Sequence, residues 1–216
     1  MHNLRSPSLR TLSLFAALLV PAVGCDVDGP GSADDAAMHG PTVQILEFDI
    51  SEDMSRFAFD STHVFEDGMP AYGNSFVTQG YIYPAGHLDG SPGTRPDGSP
   101  ADPDAVLGEW TCRGAFVGEG IATTTGPIVI TTQTLALYDE PGWTPTKASG
   151  FANIISEGYE IVDIGEPVAR AVTGGTGDFL GGSGELNQVL LGFNDSLGVN
   201  LRQTVELYTP ETGDDG

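Results

Sequence analysis

The chain has 216 residues, with 30 acidic side chains against 8 basic ones and a formal net charge of −22. Nucleic acid and anionic lipid headgroups both require a basic surface, so this charge excludes them as main partners. The 30 glycines and 15 prolines argue against a helical protein and favour one domain of short strands joined by turns.

The first 24 residues have the layout of a secretory signal peptide. A basic start precedes an apolar run over 12–20, which is too short to span a bilayer. The next residues, Ala22-Val23-Gly24-Cys25, resemble the lipobox of bacterial lipoproteins, in which the cysteine becomes the lipidated first residue. The resemblance implies an exported lipoprotein that is anchored to a membrane of the cell envelope and faces the periplasm or the exterior. An ordinary signal peptide cleaved nearby is the alternative.

Residues 26–41 are acidic, small and rich in turn formers, which predicts a flexible tether between Cys25 and a folded domain over 42–209. Residues 210–216 form an acidic tail. If Cys25 is lipidated, Cys112 has no cysteine to pair with, so we expect no internal disulfide. Cys112 is then either a buried, inert side chain or a reactive thiol, and its place in an apolar strand favours burial.

Alternation of apolar and polar residues predicts the strands of the domain. In chain order the candidates are 43–50, 57–65 (a short strand or a covering loop), 75–83, 106–117, 128–138, 147–156, 158–164, 168–173, 182–192 and 198–208. Neighbouring candidates can form one bent strand, so we expect an all-β fold with a single closed antiparallel barrel of about eight strands. A sandwich is the alternative.

No constellation of catalytic or metal-binding side chains stands out in the domain. Its histidines, His63 and His87, lie at no metal-ligand spacing, and no serine or cysteine nucleophile is marked by its surroundings. The polar loop over 85–105 is rich in aspartate but does not match the EF-hand spacing, so we interpret it as a solvated loop rather than a calcium site. Few cations are available to neutralise a charged ligand, so any ligand is expected to be neutral and hydrophobic.

The most distinctive stretch of the chain is glycine-rich and covers 170–185. It lacks the third glycine of a dinucleotide fingerprint and the second glycine of a hydrolase nucleophile elbow, so we interpret its glycines as shaping the backbone. Gly174, Gly175 and Gly177 are predicted to form a tight connection between two strands. The ring of Phe179 is predicted to cover the bare glycine backbone.

The same stretch reads Ala171-Val-Thr-Gly-Gly-x-Gly-x-Phe-x-Gly-x-x-Gly184 and resembles a signature of the allene oxide cyclase and dirigent protein superfamily. Residues 43–52 resemble the first strand of allene oxide cyclases, and 111–117 resemble a strand of both branches. The resemblance implies an eight-stranded antiparallel barrel, commonly trimeric, that needs neither a metal nor an organic cofactor. Its cyclases close the ring of an unsaturated fatty-acid epoxide, and its dirigent proteins orient phenoxy radicals made by a separate oxidase.

Carried onto this chain, the resemblance places the cyclase's pocket glutamate at Asp49, its asparagine at Ser51 and its cysteine at Phe116. All three are implied ligand-binding residues. Asp49 is also the implied catalytic residue, because a carboxylate can stabilise positive charge in an opening epoxide. The sequence thus predicts an envelope lipoprotein whose barrel binds a small hydrophobic molecule and steers its cyclisation or coupling, as an isomerase or a dirigent-type guide. A non-catalytic structural or partner-binding lipoprotein is the alternative.

Overall fold

A computed structural model of the chain describes residues 42–66, 68–117, 127–145 and 152–209. The predictions made for the signal peptide, for Cys25, for the tether and for the acidic tail fall outside these described residues. No helix within the described ranges is long and apolar enough to cross a bilayer.

The described residues form a closed antiparallel barrel in which each strand pairs with the next and the last strand pairs with the first. The strands are β1 (Thr42–Phe59), β2 (Ser75–Pro84), β3 (Gly108–Phe116), β4 (Ile128–Leu137), β5 (Ala152–Ile161), β6 (Pro167–Gly175), β7 (Ser183–Phe193) and β8 (Val199–Thr209). This confirms the predicted all-β barrel of eight strands, and the sandwich alternative is wrong.

Two of the eight strands were each predicted as a pair. β1 covers the candidate at 43–50 and the start of the one at 57–65, because a register shift between Asp53 and Ala58 bends the strand without ending it. β5 likewise runs across the break placed before Gly158. Glycine weakens a strand pattern in sequence, but here the hydrogen-bonded neighbours on both sides maintain the strand.

Side chains alternate between the barrel interior and its outer surface along the strands. All eight strands contribute apolar side chains to one interior core, which consists of Phe48, Ile50, Ile82, Trp110, Cys112, Leu135, Ile154, Val172, Phe179, Leu186, Leu190, Leu201, Val205 and Leu207. Phe48 and Ile50 fix the direction of β1, because they reach this core while Asp49 between them points the other way.

The glycine-rich stretch closes one end of the barrel, here called the glycine end. β6 ends at Gly175, and a 3-10 turn over Gly177–Phe179 returns the chain to β7 with the Phe179 side chain buried in the core. A Cβ on Gly175 would lie 2.4 Å from the carbonyl oxygen of Phe179, and Gly177 has a φ of +61°. Both positions therefore require glycine. At Gly174 a Cβ would meet nothing within 4 Å, so packing gives this residue no such requirement.

Residues 85–105, here called the strap, lie against the outer surface of β1 and β2. The hydroxyl of Tyr81 donates to the carbonyl of Gly98 at 2.8 Å, and that of Tyr83 donates to Gly93 at 2.6 Å. The strap is therefore packed against the barrel, with Gly93, Thr94 and Gly98 buried, although its four aspartates are exposed. The interpretation as a solvated loop holds for these side chains but not for the segment as a whole. Within the part of the chain that the structure describes, no three His, Cys, Asp or Glu side chains are grouped to hold a metal ion.

Neighbouring glycines provide a matched test of the glycine end. Gly175→Ala is expected to lower the free energy of unfolding by roughly 1–3 kcal/mol, because the new methyl group overlaps the Phe179 backbone. Gly174→Ala is the control and is expected to be neutral or stabilising by up to about 1 kcal/mol. Urea unfolding of both variants measures the difference, and equal effects would contradict the packing described.

Candidate functional site

The barrel interior holds a buried ion pair. The Arg170 side chain on β6 is 0% exposed, and its Nη1 lies 3.1 Å from Oε1 of Glu160 on β5. The guanidinium also donates to Ser156 Oγ at 3.2 Å and to the carbonyl of Thr131 at 3.1 Å. A Cβ on Gly158 would lie 3.3 Å from three atoms of Arg170, so the bare backbone there gives the arginine room to lie flat against β5.

Three glutamines cross the barrel beside this pair, and we call Gln133, Gln188 and Gln203 the glutamine layer. Nε2 of Gln203 donates to Oε1 of Gln133 at 2.7 Å and to Oε1 of Gln188 at 2.9 Å. Gln133 and Gln188 in turn donate to the two oxygens of Glu160, at 2.9 and 3.0 Å. Strands β4, β5, β7 and β8 are thus joined through the interior by side-chain hydrogen bonds.

Cys112 on β3 also contacts Glu160. Sγ of Cys112 lies 3.6 Å from Glu160 Oε1 and donates to it. Burial, and then the charge of Glu160, raise the pKa of the Cys112 thiol well above its ordinary value. Cys112 is buried, as predicted, and stays a protonated thiol, which disfavours the alternative of a reactive nucleophile.

A second carboxyl group faces the interior from β1. Glu52 accepts from Thr78 Oγ1 at 2.6 Å and from the backbone N–H of Val199 at 2.8 Å. Burial raises the pKa of Glu52 above its ordinary value of 4.5, and the charges of Glu160 and Asp53 act in the same direction. The two hydrogen bonds oppose this shift without cancelling it. Glu52 is therefore an interior carboxyl group inclined to keep its proton.

Two buried polar atoms of the interior have no hydrogen-bond partner among the described residues. They are the indole Nε1 of Trp110, a donor, and Oε1 of Gln203, an acceptor. Both side chains are buried, Trp110 on β3 and Gln203 on β8. A buried polar group left without a partner costs about 1–3 kcal/mol, so each of these atoms is unused hydrogen-bonding capacity that a bound molecule could satisfy.

Aromatic rings gather at the end of the barrel opposite the glycine end. Phe57 stacks on Phe76 with ring centroids 5.5 Å apart, and Phe76 contacts Phe116 at 5.2 Å. Phe116 is buried, and it lies at the end of β3 on the same face as Cys112. The structure thus places this implied ligand-binding residue on the interior face of the barrel.

The other two implied site residues lie outside the barrel, under the strap. Asp49 is 0% exposed and binds Arg202 through two hydrogen bonds of 2.8 and 3.1 Å. It also accepts from the backbone N–H of Leu88 in the strap at 2.9 Å. Ser51 Oγ lies 2.8 Å from Thr94 Oγ1, also in the strap. Neither side chain faces the interior, so the expectation that both line the barrel pocket is not met.

Sequence reasoning missed Glu52, Glu160, Arg170 and the glutamine layer. For Glu52 a signal was present, because the alternation that sends Phe48 and Ile50 inward sends Glu52 inward as well. For Glu160 and Arg170 there was none. Both lie in strands with weak alternation, and their partners come from strands distant in the chain.

Comparison with known proteins identifies the fold. No family model matches the chain, and no curated relative matches it. Among solved structures it is similar to the pterocarpan synthase dirigent protein PsPTS1, with a TM-score of 0.55 and 10% identity, covering 80% of this chain and 99% of that one. For GePTS1, another pterocarpan synthase dirigent protein, the TM-score is 0.54 with 9% identity, covering 82% and 91%. The barrel has the fold of the dirigent proteins.

The proton on Glu52 gives a testable pH dependence. The folded state holds this proton more tightly than the unfolded chain does, so a contribution to stability is lost as pH rises from about 4.5 through the folded-state pKa. Glu52→Gln removes that loss, because an amide can accept from Val199 and donate to Thr78. Relative to wild type, the variant is expected to gain stability as pH rises through this window.

Thermal melts of both proteins from about pH 4 to about pH 8 measure this difference. Glu47→Gln, an exposed carboxyl group on the outer face of the same strand, is the control and should follow wild type. Parallel melting curves for wild type and Glu52→Gln across the whole range would contradict the assignment.

Proposed function

We propose that the barrel binds a small, neutral, mainly apolar molecule in its interior and steers the cyclisation or coupling of that molecule. The observation that carries the proposal is the unpartnered pair of interior polar atoms, Trp110 Nε1 and Gln203 Oε1. A hydroxyl group on an otherwise apolar ligand can accept from Trp110 Nε1–H or donate to Gln203 Oε1, whereas a carbonyl group can only accept from Trp110. The surrounding core would cover the rest of the ligand.

The charges of the interior support a neutral ligand. Arg170 is neutralised by Glu160, and burial favours the uncharged form of Glu52. A ligand with a net charge would bring into this site a charge that no described interior group is free to balance. PsPTS1, which shares the fold, is named as a pterocarpan synthase, and this supports small-molecule chemistry as the use of such a barrel.

An interior carboxyl group supplies chemistry for an isomerisation. A protonated Glu52 can donate a hydrogen bond to an oxygen that develops negative charge when an epoxide C–O bond breaks. The new C–C bond then forms within the same molecule. All atoms of the substrate stay in the product, so neither an oxidant nor a reductant is consumed. In this proposal the acidic residue on β1 is Glu52 in place of Asp49.

A non-catalytic barrel is the second candidate. It is favoured by the glutamine layer, whose members bond to one another and join four strands across the interior. Such a network also specifies strand register without any ligand. The two functions differ in the role of the unpartnered Trp110 N–H. It contributes to ligand binding in the first function and has no role in the second.

The binding proposal is tested at the tryptophans of the chain. Trp110→Phe keeps an aromatic ring but removes the N–H, and is expected to weaken binding by about tenfold. Trp143→Phe is the matched control, because Trp143 packs against Tyr81 outside the barrel. Titration of the full chain with Nile red, followed by displacement with a panel of phenols and fatty-acid epoxides, measures the affinities.

Each outcome of this titration discriminates between the two candidates. Weaker binding in Trp110→Phe alone supports an interior ligand site. Equal binding in wild type and both variants would place the probe elsewhere and contradict the proposal. If wild type binds neither the probe nor any competitor, and native mass spectrometry finds no co-purified small molecule, the structural alternative is favoured.

We also propose that the barrel is held at a membrane of the cell envelope by lipid on Cys25, which rests on the lipobox-like Ala22-Val23-Gly24-Cys25. Cys25→Ser is expected to move the protein from the membrane fraction to the soluble fraction of a bacterial extract. Cys112→Ser is the control, since it changes the chain's other cysteine and should leave the protein in the membrane fraction. Persistent membrane association of Cys25→Ser would contradict the anchor.

A further inference from the structure

The outer surface of the barrel carries a groove that the interior site does not use. It has a volume of about 570 Å³ and lies over strands β2 to β5, with Ser75, Arg113, Ala115, Ile130, Thr132 and Glu157 among its lining residues. Ile130 beside the groove is 44% exposed, and Tyr159 on β5 is 58% exposed. The strap, which covers β1 and β2, leaves this face bare.

The charged side chains of the groove form no ion pair with any described residue. The side chain of Arg113 makes no hydrogen bond or ion pair with any residue in the described ranges, whereas Arg56, Arg170 and Arg202 each form an ion pair. Glu157 accepts one long hydrogen bond of 3.4 Å from Thr132 and has no ion pair with a described residue. In a chain with 30 acidic and 8 basic residues, it is unexpected that Arg113, two strands from Glu157, forms no ion pair with a described residue.

The strand register arranges this face symmetrically about β4. Thr132 on β4 pairs with Arg113 on one side and with Glu157 on the other, so a positive and a negative side chain flank it. The same holds one step along the outer face, where Ile130 is flanked by Ala115 and Tyr159, a small and a large side chain. In the first row the two sides of β4 carry opposite charges, and in the second row they carry side chains of different size.

We propose that this face docks a second copy of the same chain across a two-fold axis parallel to β4. For two surfaces that meet face to face, such an axis lies in the interface and exchanges the sides of β4. Arg113 of each copy then meets Glu157 of the other copy. The ring of Tyr159 from each copy enters the groove where the small side chain of Ala115 leaves space.

The energetics favour this occupant over a small ligand. Because of the two-fold symmetry each contact occurs twice. The interface therefore has two ion pairs and two inserted tyrosine rings, and the two copies of Ile130 pack against each other at its centre. Apolar burial would drive the association, while the ion pairs would fix orientation and exclude other alignments. Two barrels packed with β4 against β4 also match the aligned packing of sheets, whose faces lie about 10 Å apart.

Charge reversal tests the pairing. In the full chain, Arg113→Glu and Glu157→Arg are each expected to raise the dimer dissociation constant by about tenfold or more, because each creates two like-charge contacts. The double variant restores both pairs with exchanged signs and is expected to return within about threefold of wild type. Arg95→Glu and Glu185→Arg change charges elsewhere and serve as controls. Sedimentation over a range of protein concentrations measures the constants.

The mass of the wild-type assembly is the second readout. A dimer with rescue in the double variant supports the proposal. A dimer that neither reversal weakens, or a double variant weaker than both single variants, would overturn it. So would a monomer at all concentrations, or a homotrimer such as the superfamily resemblance implies, because a three-fold axis cannot superpose the two sides of β4. The ligand titrations are read separately, so the two proposals stand or fall independently.

Discussion

The charge of Arg170 is the constraint on which the interior of this barrel depends. An arginine cannot lose its proton in a protein, so full burial of its side chain obliges the interior to supply a carboxylate and several acceptors. Glu160 supplies the charge, and Ser156 with the carbonyl of Thr131 supplies acceptors. Gly158 supplies the space. Removing one partner of such a pair leaves an uncompensated buried charge, at a cost of about 3–5 kcal/mol.

The polar character of the interior follows from that ion pair. Glu160 can accept more hydrogen bonds than the one from Arg170, so Gln133 donates to the same Oε1 and Gln188 donates to Oε2. Gln203 then bonds to both of these glutamines and is left with an acceptor of its own. Trp110, whose N–H is also unpartnered, lies one row closer to the glycine end, where it pairs with Leu135. The unused polar capacity therefore lies in the glutamine layer and in the row beside it, and this is where a ligand would gain most from binding.

The fold was predictable from sequence, whereas the site was predictable only in part. Alternation identified the strands, and the motif around Phe179 identified the connection that closes one end. For β1, alternation favours Phe48 and Ile50 facing inward, whereas the resemblance implied ligand-binding roles for Asp49 and Ser51 on the other side. The strap buries that side of the strand, and no sequence pattern in 85–105 predicts this packing. Pairs such as Glu160 with Gln188 join distant strands and leave no local signal.

β1, like β2, is covered on both faces, and this cover links the strap to the rest of the molecule. Its inner side presents Glu52 to the interior, while Asp49 on its outer side binds both the strap and Arg202 of β8. The strap therefore does for β1 and β2 what a partner molecule would otherwise do, since it buries an outer face that carries charge. No strap-like segment among the described residues covers strands β3 to β5, and these strands carry exposed Ile130 and Tyr159. The barrel thus covers the outer face of β1 and β2 with its own chain. The outer face of β3 to β5 carries opposite charges on the two sides of β4, which suits it to association with a second copy.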